Sequence, residues 1–137
     1  MVHSFRDSRL IQRIQNRFEQ QQWIQLCVAE ERKRPGTVLT EKLKELIETC
    51  HAVIVVWTPN TAKSPTANHE IGYAVARDKA IFPFVLSGTD TEGFLEGLEY
   101  TQFDASGDDE HIDELLDTIR DWAHDLGYNT TAKKAKV

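Results

Sequence analysis

Ala52-Val53-Ile54-Val55-Val56-Trp57 is apolar at every position. A strand with one wet face alternates apolar and polar residues, whereas a strand covered on both faces does not, and the second pattern belongs to parallel sheets sandwiched between helices. At six residues the run is also far short of the ~20 needed to span a bilayer. It therefore predicts a central, fully covered strand, and the neighbouring segments can be read around it.

Downstream, Ser64 is a good helix cap with Pro65 at the first helical position, predicting a helix to about Arg77. Upstream, Leu39, Leu43, Leu46, Ile47 and Cys50 recur at helical spacing from Thr37. The pair Pro35-Gly36 marks a turn before that helix. Further strands are predicted at 23–29, 80–86 and, more weakly, 99–103. Pro83 removes a backbone donor, which argues for a sheet edge or a bulge at that point. A first helix carries Leu10, Ile11, Ile14 and Phe18, capped by Asp7 or Ser8. A last helix aligns Ile112, Leu115, Leu116, Ile119, Trp122 and Leu126 and stops at Gly127. Strands and helices alternate, so the predicted class is α/β: a doubly wound, five-stranded, mainly parallel sheet with helices on both faces. Only Met1-Val2-His3 precede the first helical segment, so either the first strand is abbreviated or the true start lies upstream. The expected organisation is one domain over 1–128 and a flexible basic tail over 129–137.

The chain has 137 residues, 40% hydrophobic and 28% charged, with a net charge of −6. That balance suits a single globular domain and argues against a nucleic-acid surface. The N-terminal sequence has no apolar secretory core, so the expected location is cytoplasmic, with no membrane partner. Cys27 and Cys50 form no CxxC pair and read as plain buried thiols. The histidines show no paired ligand spacing, and Asp104 to Asp109 lacks the glycine and closing glutamate of a calcium loop, so no metal is expected.

One carboxylate stands out. At ~100° per residue, Ala67, Ile71, Ala74 and Val75 share an apolar arc, and Glu70 falls just outside it. Thr66, Tyr73 and Arg77 lie further round on the same side, while His69 faces solvent. A carboxylate at the rim of a packed face is partly desolvated yet reachable. Ligands of open α/β sheets bind outside the carboxyl ends of the strands, where this helix begins. Gly72, on the far side of the helix, suggests a close backbone approach or is simply tolerated there.

Six segments in order resemble a TIR domain over nearly the whole chain. "HSFRDSRL" (His3 to Leu10) resembles the loop after the family's first strand. "EERKRPGTVLTEKLKELIETC" (Glu30 to Cys50) resembles its BB loop and the helix behind it. "HAVIVVWTPN" is similar to its third strand, "SPTANHEIGYA" to the following helix, and "AIFPFVLSG" and "LEGLEYTQF" to its last two strands. The resemblance implies a flavodoxin-like fold. It further implies an NAD+ glycohydrolase or ADP-ribosyl cyclase cutting the nicotinamide–ribose bond, with ADP-ribose or a cyclic ADP-ribose as product, in antiphage immune signalling. Glu70 matches the catalytic glutamate of NAD-cleaving members. Phe5, Arg6, Asp7, Arg34, Trp57, Ser64 and Tyr73 are the expected substrate contacts. NAD+ is the substrate and no cofactor is implied. Self-association through the BB loop (Arg34, Pro35, Gly36) and a separate effector reached by a diffusible product are implied partners.

Two departures stand out: the short first strand, and Thr66 where many enzymatic members carry a tryptophan four residues before the glutamate. The alternatives are a non-catalytic TIR interaction or nucleotide-binding module, and a nucleoside deoxyribosyltransferase-like enzyme, whose Glu-Gly-Tyr-Ala pattern is close to "EIGYAVA".

Overall fold

In the computed structural model the described residues are 1–28, 41–106, 108–128 and 133–137. A single 3₁₀ turn, Phe5–Asp7, leads into α1 (Ser8–Glu19). There follow β1 (Ile24–Gln25), α2 (Glu41–Thr49), β2 (Ala52–Trp57), α3 (Pro59–Ala62), α4 (Pro65–Ala76), β3 (Ala80–Leu86), a 3₁₀ turn at Gly93–Leu95, β4 (Thr101–Phe103), α5 (Asp109–Asp125) and β5 (Ala135–Lys136).

β2 pairs in parallel with β3 over its whole length, and β3 with β4 from Phe84 to Leu86. All six residues of β2 are buried, and they divide strictly by parity. Ala52, Ile54 and Val56 enter a core with Ile11, Ile14 and Phe18 of α1 and Ile112, Leu115, Leu116 and Ile119 of α5. Val53, Val55 and Trp57 enter a second core with Ile47 of α2 and Ala67, Ile71 and Ala74 of α4. Successive strand residues point to opposite faces, so the unbroken apolar run serves two helical layers, as the sequence predicted.

Pro83 is opposite Val55, one residue before pairing with β4 begins. On the β4 side β3 is still an edge there, which is how an interior strand tolerates a proline.

The other side of β2 is assembled from short pieces. Val2 bridges Val55, with Val2 N donating to Ile54 O at 2.8 Å and Val56 N donating to Val2 O at 2.9 Å. β5 is parallel to β1, Cys27 N donates to Val137 O, and His51 N donates to Lys136 O. β5 thus lies between β1 and the start of β2, in line with Met1-Val2. The frayed basic tail expected from composition is corrected at this point. Ala135 and Val137 are fully buried, because alternate residues of the strand turn into the core while Lys136 between them turns outward.

The strand predicted over 23–29 also needs correction, since among its described residues, 23–28, only Ile24–Gln25 is strand. Both cysteines are free thiols. The neighbouring Cys50 thiol holds Cys27 below the usual thiol range, while Cys27 and burial push Cys50 up.

Candidate functional site

The carboxyl ends of the Met1-Val2 segment and of β2 open onto a cleft of about 410 Å³, within the ~300–1,000 Å³ typical of small-molecule sites. One wall is Met1, His3, Ser4, Phe5 and Arg6; the other is Asn60, Lys63, Ser64, Thr66, Ala67 and Glu70.

α4 presents Glu70 for the reasons read from its periodicity. Ser64 Oγ accepts from Ala67 N at 3.2 Å, and Pro65 follows at the first helical position. This fixes the helix start and so the rotation of every later side chain. Ala67, Ile71 and Ala74 are buried, His69 is exposed, and Glu70 is half-buried at the rim. Val75, placed in the apolar arc, is 36% exposed, because the buried stripe is narrower than the sequence suggested.

The opposite wall is held by Asp7. Its carboxylate accepts from Thr58 Oγ1 at 2.7 Å and from Asn60 Nδ2 at 2.9 Å. Thr58 Oγ1 in turn accepts from Thr61 N at 3.3 Å, and Thr61 Oγ1 donates to Val56 O at 2.7 Å. The loop after the first segment is thereby tied to the loop after β2. Asp7 does not cap α1, since no side-chain cap bond is made there; both carboxylate oxygens already serve the α3 loop.

Phe5, Arg6, Ser64 and Glu70 are brought together in the cleft. Three other expected contacts are placed elsewhere or fall beyond description. Trp57 is fully buried in the second core and donates from Nε1 to Asp90 O at 2.9 Å, so its ring offers no face to a ligand. Tyr73 lies a helical step past Glu70, where its hydroxyl donates to Glu48 and accepts from Arg77 Nη2 at 3.1 Å. Arg77 also pairs with Glu48 at 3.0 Å, holding Tyr73 in a separate surface depression. Arg34, Pro35 and Gly36 lie outside the described residues.

His3, Asn60 and Lys63 also line the cleft and were missed by the sequence reading. His3 stands in the quoted loop and could have been found by asking which titratable residues follow the first strand's carboxyl end. Asn60 and Lys63 could not, because α3 has only four residues and gives no periodicity to read.

Glu70 acts electrostatically on both His3 and the N-terminal ammonium of Met1. Burial lowers the pKa of His3, with the carbonyl of Ser4 and the charges of Glu70 and Asp7 opposing the effect. Burial also lowers that of the Met1 ammonium, which donates to Cys27 O at 2.7 Å. Phe5 is 46% exposed and sets its ring edge-on to His3 at 5.5 Å. Among the described residues the cleft thus combines the carboxylate of Glu70, a neutral imidazole, an exposed aromatic face and the cationic side chains of Arg6 and Lys63.

The neighbour that Gly72 meets is a side chain rather than backbone. A Cβ there would stand 3.0 Å from the ring of Phe94.

Among the described residues, no group of three His, Cys, Asp or Glu side chains could hold a metal ion. None of the described helices is long and apolar enough to cross a membrane. No curated protein matches the chain. A family model described as TIR domain matches residues 1–116, most of the length and every element from the first segment into α5. The chain belongs to the TIR domain family.

Proposed function

We propose that the protein is an NAD+ glycohydrolase or ADP-ribosyl cyclase that cleaves the nicotinamide–ribose bond, with Glu70 as the catalytic residue. The observation that carries this reading is the placement of Glu70, half-buried and, among the described residues, the only acidic one lining the cleft, outside the carboxyl ends of the strands.

A single carboxylate is enough for this chemistry. Most glycosidases pair two, one of them to protonate the leaving group. Nicotinamide leaves a pyridinium as a neutral molecule and needs no such acid. What remains is to stabilise the developing positive charge on the ribose, a task for a fixed, partly desolvated anion. Arg6 and Lys63 supply positive charge for the diphosphate, and the exposed ring of Phe5 supplies a stacking face. Water as acceptor gives ADP-ribose; a nucleophile within the same molecule gives a cyclic product. Such a product would serve as a diffusible signal to a separate effector in cytoplasmic antiphage defence. Self-association through Arg34, Pro35 and Gly36, which the family resemblance implies, belongs to the same reading.

The test is chromatography of NAD+ incubated with concentrated protein, beside a Glu70→Ala control. Release of nicotinamide that disappears in the control supports the reading, and the second product distinguishes hydrolysis from cyclisation. Release that persists in Glu70→Ala takes the catalytic role away from Glu70, and no release from the wild type at high concentration leaves a TIR module that binds without cleaving.

A further inference from the structure

Resting on the NAD-cleaving reading, we propose that His3 is the proton acceptor for the incoming nucleophile, so that a hydroxylic acceptor, water or a sugar hydroxyl, is activated from the wall facing Glu70.

The first observation is the tautomer. His3 Nδ1 lies 3.2 Å from the carbonyl oxygen of Ser4. A carbonyl can only accept, so Nδ1 carries the hydrogen and Nε2 keeps its lone pair. Among the described residues nothing hydrogen-bonds Nε2. The second is position: His3 and Glu70 line the same cleft, each within electrostatic range of the other. The third is charge state. Burial keeps the imidazole neutral at pH 7, and a neutral imidazole is a base. The charged groups acting on it are the Met1 ammonium, Glu70 and Asp7, with Arg6 and Lys63 elsewhere on the cleft walls.

The step balances. The bond from C1′ to the nicotinamide nitrogen breaks, and its electron pair neutralises the pyridinium. The acceptor oxygen bonds to C1′, and its proton passes to His3 Nε2 and then to solvent. Glu70 stabilises the charge on the ribose and takes no part in the proton transfer. Two roles for two walls follow from the geometry: charge stabilisation from α4, proton removal from the loop after the first segment.

An acceptor without a proton separates these roles. A substituted pyridine can replace nicotinamide at C1′ with no proton to lose, so this exchange needs Glu70 and not His3. In His3→Gln, hydrolysis should fall roughly tenfold or more, below the ~10²–10⁴-fold typical of general-base catalysis because the ribose cation is reactive, while pyridine exchange stays near wild type. In the wild type, hydrolysis should decline as pH falls through the lowered His3 value, and that limb should vanish in His3→Gln. Persistent exchange also shows that the variant is folded. Equal loss of both reactions would make His3 a structural residue, and no change in either would make it a bystander. Each overturns this proposal while leaving Glu70 in place. Absence of both reactions in the wild type overturns the NAD-cleaving reading as well.

Discussion

Replacing Asp7 by alanine should both destabilise the fold and loosen the cleft, and the cost can be worked from its two bonds. Its carboxylate accepts from Thr58 Oγ1 at 2.7 Å and Asn60 Nδ2 at 2.9 Å. Hydrogen bonds to charged groups contribute about 1.5–3 kcal/mol each. Asp7 is half-buried, so water recovers part of this, whereas Thr58 is only 3% exposed and its hydroxyl loses its acceptor. Together the loss should be about 2–3 kcal/mol. For a chain of this size 1 kcal/mol corresponds to about 3–5 °C, so the thermal midpoint should drop by about 6–15 °C. Asp7→Asn should lose about half as much, since Asn60 can turn its amide to present oxygen while Thr58 cannot reorient without abandoning Thr61. The assay is thermal unfolding of both single variants and of the double variant with Thr58→Val. The pair should couple by about 1 kcal/mol, as residues sharing one network do. The KM for NAD+ should rise with the loss, because Phe5 and Arg6 on one side and Asn60 and Lys63 on the other are held together by this tie. A midpoint within roughly 2 °C of wild type for Asp7→Ala would refute the reasoning, showing that the two loops do not depend on the carboxylate.

His51 makes stability pH-dependent: its Nδ1 accepts from Lys136 N at 3.0 Å, which requires the neutral ring, and burial, then the charges of Lys136 and Lys79, lower its pKa. The unfolded chain therefore binds more protons, and this share of stability, present above about pH 6.5, should be lost as pH falls through the lowered folded value; urea midpoints against pH should show a shallower acid limb in His51→Gln. Gly72→Ala should be neutral to stabilising by up to about 1 kcal/mol, because a helix interior favours alanine and the clashing Phe94 ring is 57% exposed and can swing away; a loss in the urea midpoint would show that the ring is fixed. Thr66→Trp should lower the KM for NAD+ by several-fold, since Thr66 lines the cleft and base-on-aromatic stacking contributes about 1–3 kcal/mol; an unchanged KM would mean that the base sits elsewhere.

Much of this architecture was legible in the sequence because its decisive signals are local. A run of six apolar residues with no alternation has only one comfortable place, a strand covered on both faces, and β2 occupies it from Ala52 to Trp57. Ser64 and Pro65 set the start of α4, and 100° per residue carries that start forward to Glu70 at the rim. Tertiary structure decided what depended on residues far apart in the chain. Trp57 and Tyr73 look like ligand contacts beside Glu70, but the ring of one is taken by Asp90 and the hydroxyl of the other by Glu48 and Arg77. Asp7 reads as a helix cap until Thr58 and Asn60, some fifty residues away, are placed against it. The last five residues read as a solvated tail because three of them are lysines, yet backbone pairing with β1 is indifferent to side chains and draws Ala135 and Val137 into the core. Local periodicity fixes how an element is turned. Which distant groups reach its polar atoms first is settled only when the sheet has closed around them.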